Sequence, residues 1–169
     1  ISFDPNLRPT LWPSRETMVA TLNALAAQAD WVLPGIGEGE ILTGYTKPDD
    51  IARFYLDQGA RGVIVKLGAQ GAFLCTADDA CVIASEPVAK VVDTVGAGDG
   101  FAVGVISALL EGRTMPEAVA RGNRIGGLAI QVIGDSEGLP TRAELDALES
   151  GRTLAATRQS THTASQTLH

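Results

Sequence analysis

Short β-rich runs alternate with helical patterns along this chain, and that alternation predicts an α/β fold with a largely parallel sheet. The chain opens on an apolar run, residues 1–3, that reads as the tail of a strand leading straight into Asp4. Residues 14–28 carry a helical pattern, with Ser14 as the cap and Glu16 in the first turn, where a negative charge suits the helix dipole. Residues 31–33 form a short buried strand and 62–67 (GVIVKL) a longer one. Residues 72–76 and 81–85 flank the turn-rich stretch 77–80, which predicts a hairpin at one side of the sheet. A further strand is expected over 88–92.

After that strand comes the small-residue stretch 95–100, and then a helix to Glu111 on which Phe101, Val105 and Leu109 recur at helical spacing. Gly112 ends it in the usual position beyond the last turn. Pro116 opens the next helix, to about residue 133. Thr141 and Glu144 stand at capping-box spacing for a last one to about 149. From 151 to 169 the composition turns to Thr, Ser, Gln and His, which predicts a disordered tail. His162 and His169 lie in that tail and carry no assignment.

Composition narrows the function. With 169 residues, 45% of them hydrophobic, the chain is long enough for one domain with its own core. Thirteen Lys and Arg against twenty Asp and Glu give a net charge of −7, which disfavours nucleic acid as a partner. No apolar run approaches the roughly 20 residues of a membrane helix, so no membrane association is expected. Two cysteines, Cys75 and Cys81, are too few for a disulfide scaffold and read as reduced core thiols of a cytoplasmic protein. Because residue 1 is Ile and not Met, sequence missing from the N-terminal side is expected.

The richest segment in chemistry is Asp93-Thr94-Val95-Gly96-Ala97-Gly98-Asp99-Gly100-Phe101. It compresses a strand end, a small-residue loop and a helix start into nine positions. Gly96, Ala97 and Gly98 let the backbone approach a ligand, and free N–H groups at a helix N-terminus suit an anion, above all a phosphate. A carboxylate planted there makes sense if Asp99 takes a proton from an attacking hydroxyl while the amides stabilise charge on a transferring phosphoryl group. Taken alone, the same residues also fit a Gly-rich turn with Asp99 as a helix cap.

The whole run resembles the C-terminal signature of the PfkB (ribokinase-like) carbohydrate kinases, close to D-T-x-G-A-G-D-x-F. Asp4-Pro5-Asn6-Leu7-Arg8 followed by Leu11-Trp12-Pro13 resembles the D-x-N-x-R segment of fructokinases and 2-keto-3-deoxygluconate kinases. Lys66-Leu67-Gly68-Ala69-Gln70-Gly71 is similar to the family's K-x-G-x-x-G nucleotide loop, and Gly134-Asp135 with residues 138–141 to its closing segment. The resemblance covers residues 1–150, about half of a complete member. It implies a three-layer α/β/α ribokinase-like fold, present here as its C-terminal portion only. The implied reaction is ATP-dependent phosphorylation of a sugar or sugar acid, 2-keto-3-deoxygluconate first and fructose or ribose second. A nucleotide-binding module without catalysis is the alternative.

Mapped onto this chain, the resemblance implies that Asp99 is the base and Gly96, Ala97 and Gly98 the anion hole. Lys66, Gly68, Gly71 and Asn123 would lie near ATP, although Lys66 also fits a solvated strand end and Asn123 an exposed polar position. Arg8 would meet a substrate carboxylate, to which a guanidinium forks bidentately; a surface salt bridge is its other reading. Asp93 and Val95 fall where a monovalent cation such as K⁺ binds, and capping by Asp93 is equally open. Glu38 is expected to help organise Mg²⁺, with Glu40 in reserve. One departure affects that expectation: Gly35 stands where the family's N-x-x-E motif has Asn. The resemblance leaves a homo-oligomer open.

Overall fold

The computed structural model describes residues 1–134 and 136–151, in two units, one up to Gly138 and one from Leu139 onward. Asp135 and the expected tail beyond Gly151, with His162 and His169, lie outside the described residues.

The first unit is built on a five-stranded sheet in the order β1 (Ser2–Phe3), β2 (Trp31–Val32), β3 (Gly62–Lys66), β4 (Ala72–Thr76) and β5 (Ala80–Ile83). The first three run parallel, and β4 and β5 fold back antiparallel as the expected hairpin. Side chains alternate across a strand, and β3 shows what that alternation does. Val63 and Val65 join Ile51, Ala52 and Tyr55 in one buried cluster, whereas Ile64 joins Phe101, Val105 and Val119 in another. Helices α1 (Arg15–Ala26) and α3 (Pro48–Leu56) therefore cover one face, and α4 (Ala97–Leu110) and α5 (Met115–Ala129) the other. The result is the three-layer arrangement. Among the described residues, no helix is long and apolar enough to cross a membrane.

Local signals account for most boundaries. Ser14 Oγ accepts the Thr17 amide at 3.1 Å and starts α1. Thr114 caps α5, its own N–H donating to Glu117 Oε2 at 2.8 Å, so that Pro116 falls in the first turn. In the second unit, Thr141 and Glu144 form the expected capping box of α6 (Arg142–Glu149). Cys75 is buried and Cys81 half-buried, both as free thiols, and burial pushes the Cys75 thiol up from its ordinary range.

Three outcomes differ from the sequence reading. Residues 88–92 form no strand: Val91 and Val92 are exposed, and the Val92 amide donates to the Ile130 carbonyl at the end of α5 instead of to a neighbouring strand. Their β-branched composition fits a strand, but a strand also needs a ladder partner. The helices α2 (Ile36–Thr43) and α3 carry much of the fold without having been anticipated. Finally, α5 stops at Ala129, short of residue 133.

The α4–α5 crossing sets the position of the loop that precedes α4. Here the helices approach through backbone: a Cβ on Gly104 would stand 2.7 Å from Gly122 Cα, and one on Gly126 would stand 3.1 Å from the Ala97 carbonyl oxygen. Below them Arg121, nearly fully buried, forks onto Glu111 at 2.9 and 2.8 Å. The outer side of α4, by contrast, leaves Val103, Ile106 and Leu110 exposed. Replacing Gly104 by Ala should force the helices apart and cost about 1–3 kcal/mol. Urea denaturation reads this as a lowered midpoint at unchanged slope; an unaltered midpoint would show that the crossing yields freely.

Candidate active site

Parallel strands deliver whatever follows them to one edge of the sheet, where open α/β folds place ligands. Asp4 follows β1, Gly35 follows β2 and Lys66 ends β3, with Gly35 and Lys66 joined in a parallel bridge and the Lys66 amide donating to the Pro34 carbonyl at 2.8 Å. The three positions therefore sit side by side. Lys66 Nζ reaches Asp4 Oδ2 at 2.6 Å, with both side chains largely shielded. This disposes of the solvated strand end as a reading of Lys66. Burial pushes the Asp4 carboxyl up, Lys66 pulls it down, and Glu38 and Asp99 push it up again.

Beyond Asp4 the chain bends sharply. Asn6 and Arg8 both adopt left-handed backbone, at φ 41° and 44°, a costly conformation for Arg and a frequent mark of functional loops. Leu7, buried against Met18, Leu22 and Leu42, pins the bend, and Trp12 Nε1 donates to its carbonyl at 2.8 Å. Arg8 is thereby held exposed at a cavity mouth and pairs with no carboxylate among the described residues.

The loop before α4 turns at Gly96, φ 76°, which caps the helix. The N–H groups of Gly96, Gly98 and Asp99 find no acceptor among the described residues, whereas that of Ala97 makes a long 3.4 Å turn bond to the Thr94 carbonyl. Of the three amides expected to meet an anion, two stand ready, and Asp99 adds a third. The Asp99 side chain is exposed in the first turn of α4.

Two cavities meet at this edge. The smaller, about 340 Å³, is polar and is lined by Asp4, Asn6, Arg8, Glu38, Lys66 and Asp99 together with the loop before α4. The larger, about 710 Å³, has apolar walls that include Ile36, Val88, Phe101 and Ile130, and also touches Gly68, Gly71 and Asn123. Glu38, Lys66, Thr94 and Gly98 line both. Gly71, φ 99°, is a position where a side chain cannot enter: a Cβ would lie 2.1 Å from the Ile83 carbonyl oxygen.

The remaining sequence candidates fall less simply. Asn123 is buried, not exposed, and its amide nitrogen donates to the Ile83 carbonyl at 2.9 Å, tying α5 to the end of β5. Glu38 Oε2 accepts the Gly35 amide at 2.8 Å and so caps α2. Glu40 is exposed on α2 and borders neither cavity. Asp93 also stands outside both, its carboxylate accepting the Val95 amide at 3.1 Å within the loop that precedes α4. Asp4, Asn6 and Thr94 line the site without having been singled out; Asp4 and Asn6 were visible in the D-x-N-x-R segment.

The donor set bears on a metal. No cluster of three or more metal-ligating side chains occurs among the described residues. Mg²⁺ is ordinarily held by one or two carboxylates plus substrate phosphates, and Glu38, which faces both cavities, suits an ion that arrives with a nucleotide.

Known proteins match this chain over most of its length. The profile described as pfkB family carbohydrate kinase matches residues 1–142. The 2-dehydro-3-deoxygluconokinase of Bacillus subtilis is 56% identical over 145 residues, covering 86% of this chain and 45% of that protein. Among solved structures, a PfkB protein from Polaromonas superposes with a TM-score of 0.76 at 55% identity, over 86% of this chain and 45% of that one. A fructokinase double mutant from Vibrio cholerae, in its fructose-, ADP- and potassium-bound form, superposes with a TM-score of 0.80 at 32% identity, over 86% and 49%. This chain thus spans about half the length of the relatives it matches. Over the matched residues the chain belongs to the pfkB family of carbohydrate kinases.

Proposed function

We propose that residues 1–150 form the C-terminal part of a kinase that moves the γ-phosphoryl group of ATP onto a primary hydroxyl of a sugar acid, with 2-keto-3-deoxygluconate as the acceptor. The observation that carries this reading is the exposed Asp99 carboxylate beside three unpaired amides, in a polar cavity that shares Lys66 and Gly98 with a larger apolar one. A purine ring and ribose suit the large cavity, between the Gly68–Gly71 turn and α5. The acceptor suits the small one. There Asp99 takes the hydroxyl proton, the hydroxyl oxygen forms its bond to the γ-phosphorus, and ADP leaves with the bridging oxygen. The amides of Gly96, Gly98 and Asp99, reinforced by the positive end of α4, stabilise the negative charge on the equatorial oxygens. Mg²⁺ bound with the nucleotide would neutralise phosphate charge, and Glu38, which borders both cavities, is the residue to help hold it. Asp93 and Val95 are offered for K⁺, an ion present in the potassium-bound form of the fructokinase relative.

The choice of a sugar acid rests on Arg8, unpaired at the mouth of the small cavity, and on the similarity to 2-dehydro-3-deoxygluconokinase. Fructose is the second reading, favoured by the fructokinase superposition. The open β1 edge and the exposed Val103, Ile106 and Leu110 suit association, either with further chain of the same protein or with a second copy. A cytoplasmic enzyme acting on small molecules, not nucleic acid, completes the reading.

Two measurements test it in the full-length protein. Asp99→Asn should lower kcat by about 10²–10⁴-fold while leaving ATP affinity near the wild-type value; coupled ADP release against a panel of sugars and sugar acids reads the first, calorimetry the second. Mg-ATP binding without acceptor-dependent ADP release in either form would mark a binding module instead. Arg8→Leu should raise KM for the sugar acid by at least about tenfold, the scale of a lost charge-assisted contact, and leave KM for fructose unchanged. Equal effects on both acceptors would remove the sugar-acid preference.

A further inference from the structure

The Lys66–Asp4 ion pair is the point at which the two cavities join, and the kinase reading uses only half of it. Lys66 carries three N–H donors, and Asp4 Oδ2 is its one side-chain acceptor among the described residues. The side chain borders both cavities, and its Nζ stands 3.5 Å from where a Cβ on Gly98 would lie. The ammonium is therefore next to the amides that meet the transferring phosphate. Left to itself, a lysine on its four-carbon stem would sample many rotamers.

We propose that Asp4 is a positioning residue for phosphoryl transfer: its carboxylate pins the Lys66 ammonium at the seam between the cavities, aiming the two remaining donors at the phosphate as it passes from nucleotide to acceptor. This rests on the kinase reading above. Geometry separates Asp4 from the base Asp99, although both line the same cavity. The carboxylate of Asp4 is engaged by Lys66 at 2.6 Å and largely shielded, whereas Asp99 is exposed at the helix start. Charge gives a second reason for the pairing. Asp4, Glu38 and Asp99 place three carboxylates around the small cavity against the two cations Arg8 and Lys66, and an unrestrained ammonium would be drawn to any of the three. Fixing Lys66 on the carboxylate that follows β1 keeps Asp99 free for the acceptor hydroxyl. Asp4 is placed for this by chain topology, because β1 and β3 both pair with β2 and end at the same edge.

A double-mutant cycle in the full-length kinase tests the idea. Lys66→Met should lower kcat by about 10²–10³-fold, the scale of one lost transition-state donor. Asp4→Asn should lower kcat by about tenfold with KM for the acceptor within about twofold of wild type, and the double variant should be no slower than Lys66→Met alone. Losses that multiply would show that Asp4 acts independently of Lys66. An acceptor KM raised at unchanged kcat would make Asp4 a sugar contact, and a lowered melting temperature at unchanged kcat would make it structural; each overturns the proposal. If Asp4→Asn does not fold, Asp4→Glu, which keeps the charge but displaces it by one methylene, enters the same cycle. A wild-type protein that never releases ADP with any acceptor overturns the kinase reading and this one together, whereas an active wild type with multiplying losses overturns only the role of Asp4.

Discussion

Parallel pairing of β1, β2 and β3 is the constraint from which the site follows. The register that sets Phe3 against Val32 and Val32 against Val63, carried on by the Gly35–Lys66 bridge, points all three strands at the same edge. Asp4, Gly35 and Lys66, far apart in the chain, become neighbours at that edge. Without that register, the Gly96 to Asp99 loop would be a helix start with nothing opposite it. Helix dipole and free amides attract an anion anywhere; only the residues arriving from the strand ends give that anion a reason to react.

The two cavities divide the chemistry by polarity. Apolar walls in the larger suit a flat aromatic body, while the smaller presents charge to a hydroxylated acceptor. Between them lie Glu38, Lys66, Thr94 and Gly98, so that in the proposed reaction a phosphoryl group would have only a short distance to travel. Such proximity is where much of the catalytic gain in phosphoryl transfer arises. Glu38 also shows how closely function and folding are joined here. Its carboxylate caps α2 through the Gly35 amide, and a Cβ at Gly35 would stand 3.3 Å from Glu38 Oε2. A side chain at 35 would press on that carboxylate, so the glycine found there in place of Asn leaves Glu38 folded back onto its own helix.

What could be read from the sequence was what is local. Asp99, its loop, the Ser14 and Thr141 caps and the β4–β5 hairpin each depend on residues a few positions apart, and those spacings are visible in a string of letters. The Lys66–Asp4 pair spans 62 positions and exists only once the sheet is formed, so Asp4 passed as an unremarked member of a motif. The exposed position that stood as the alternative for Asn123 fails because the end of β5 supplies the backbone carbonyl that lets it be buried. The strand expected over 88–92 failed for the opposite reason. Its composition was right, but no ladder partner stands beside it, and its amides turn to the end of α5 instead. The short, glycine-interrupted α2 gave little periodic signal, being apolar around much of its surface.

The glycine-lined crossing of α4 and α5 has a mechanical consequence. Where helices meet through flexible side chains, a small tilt of one is absorbed by rotamer changes. Backbone resting on backbone has little such slack, so a shift of α5 would be passed directly to the Ala97 carbonyl. Changes on the outer surface of α5, well away from either cavity, would thereby be felt at the loop whose free amides open α4.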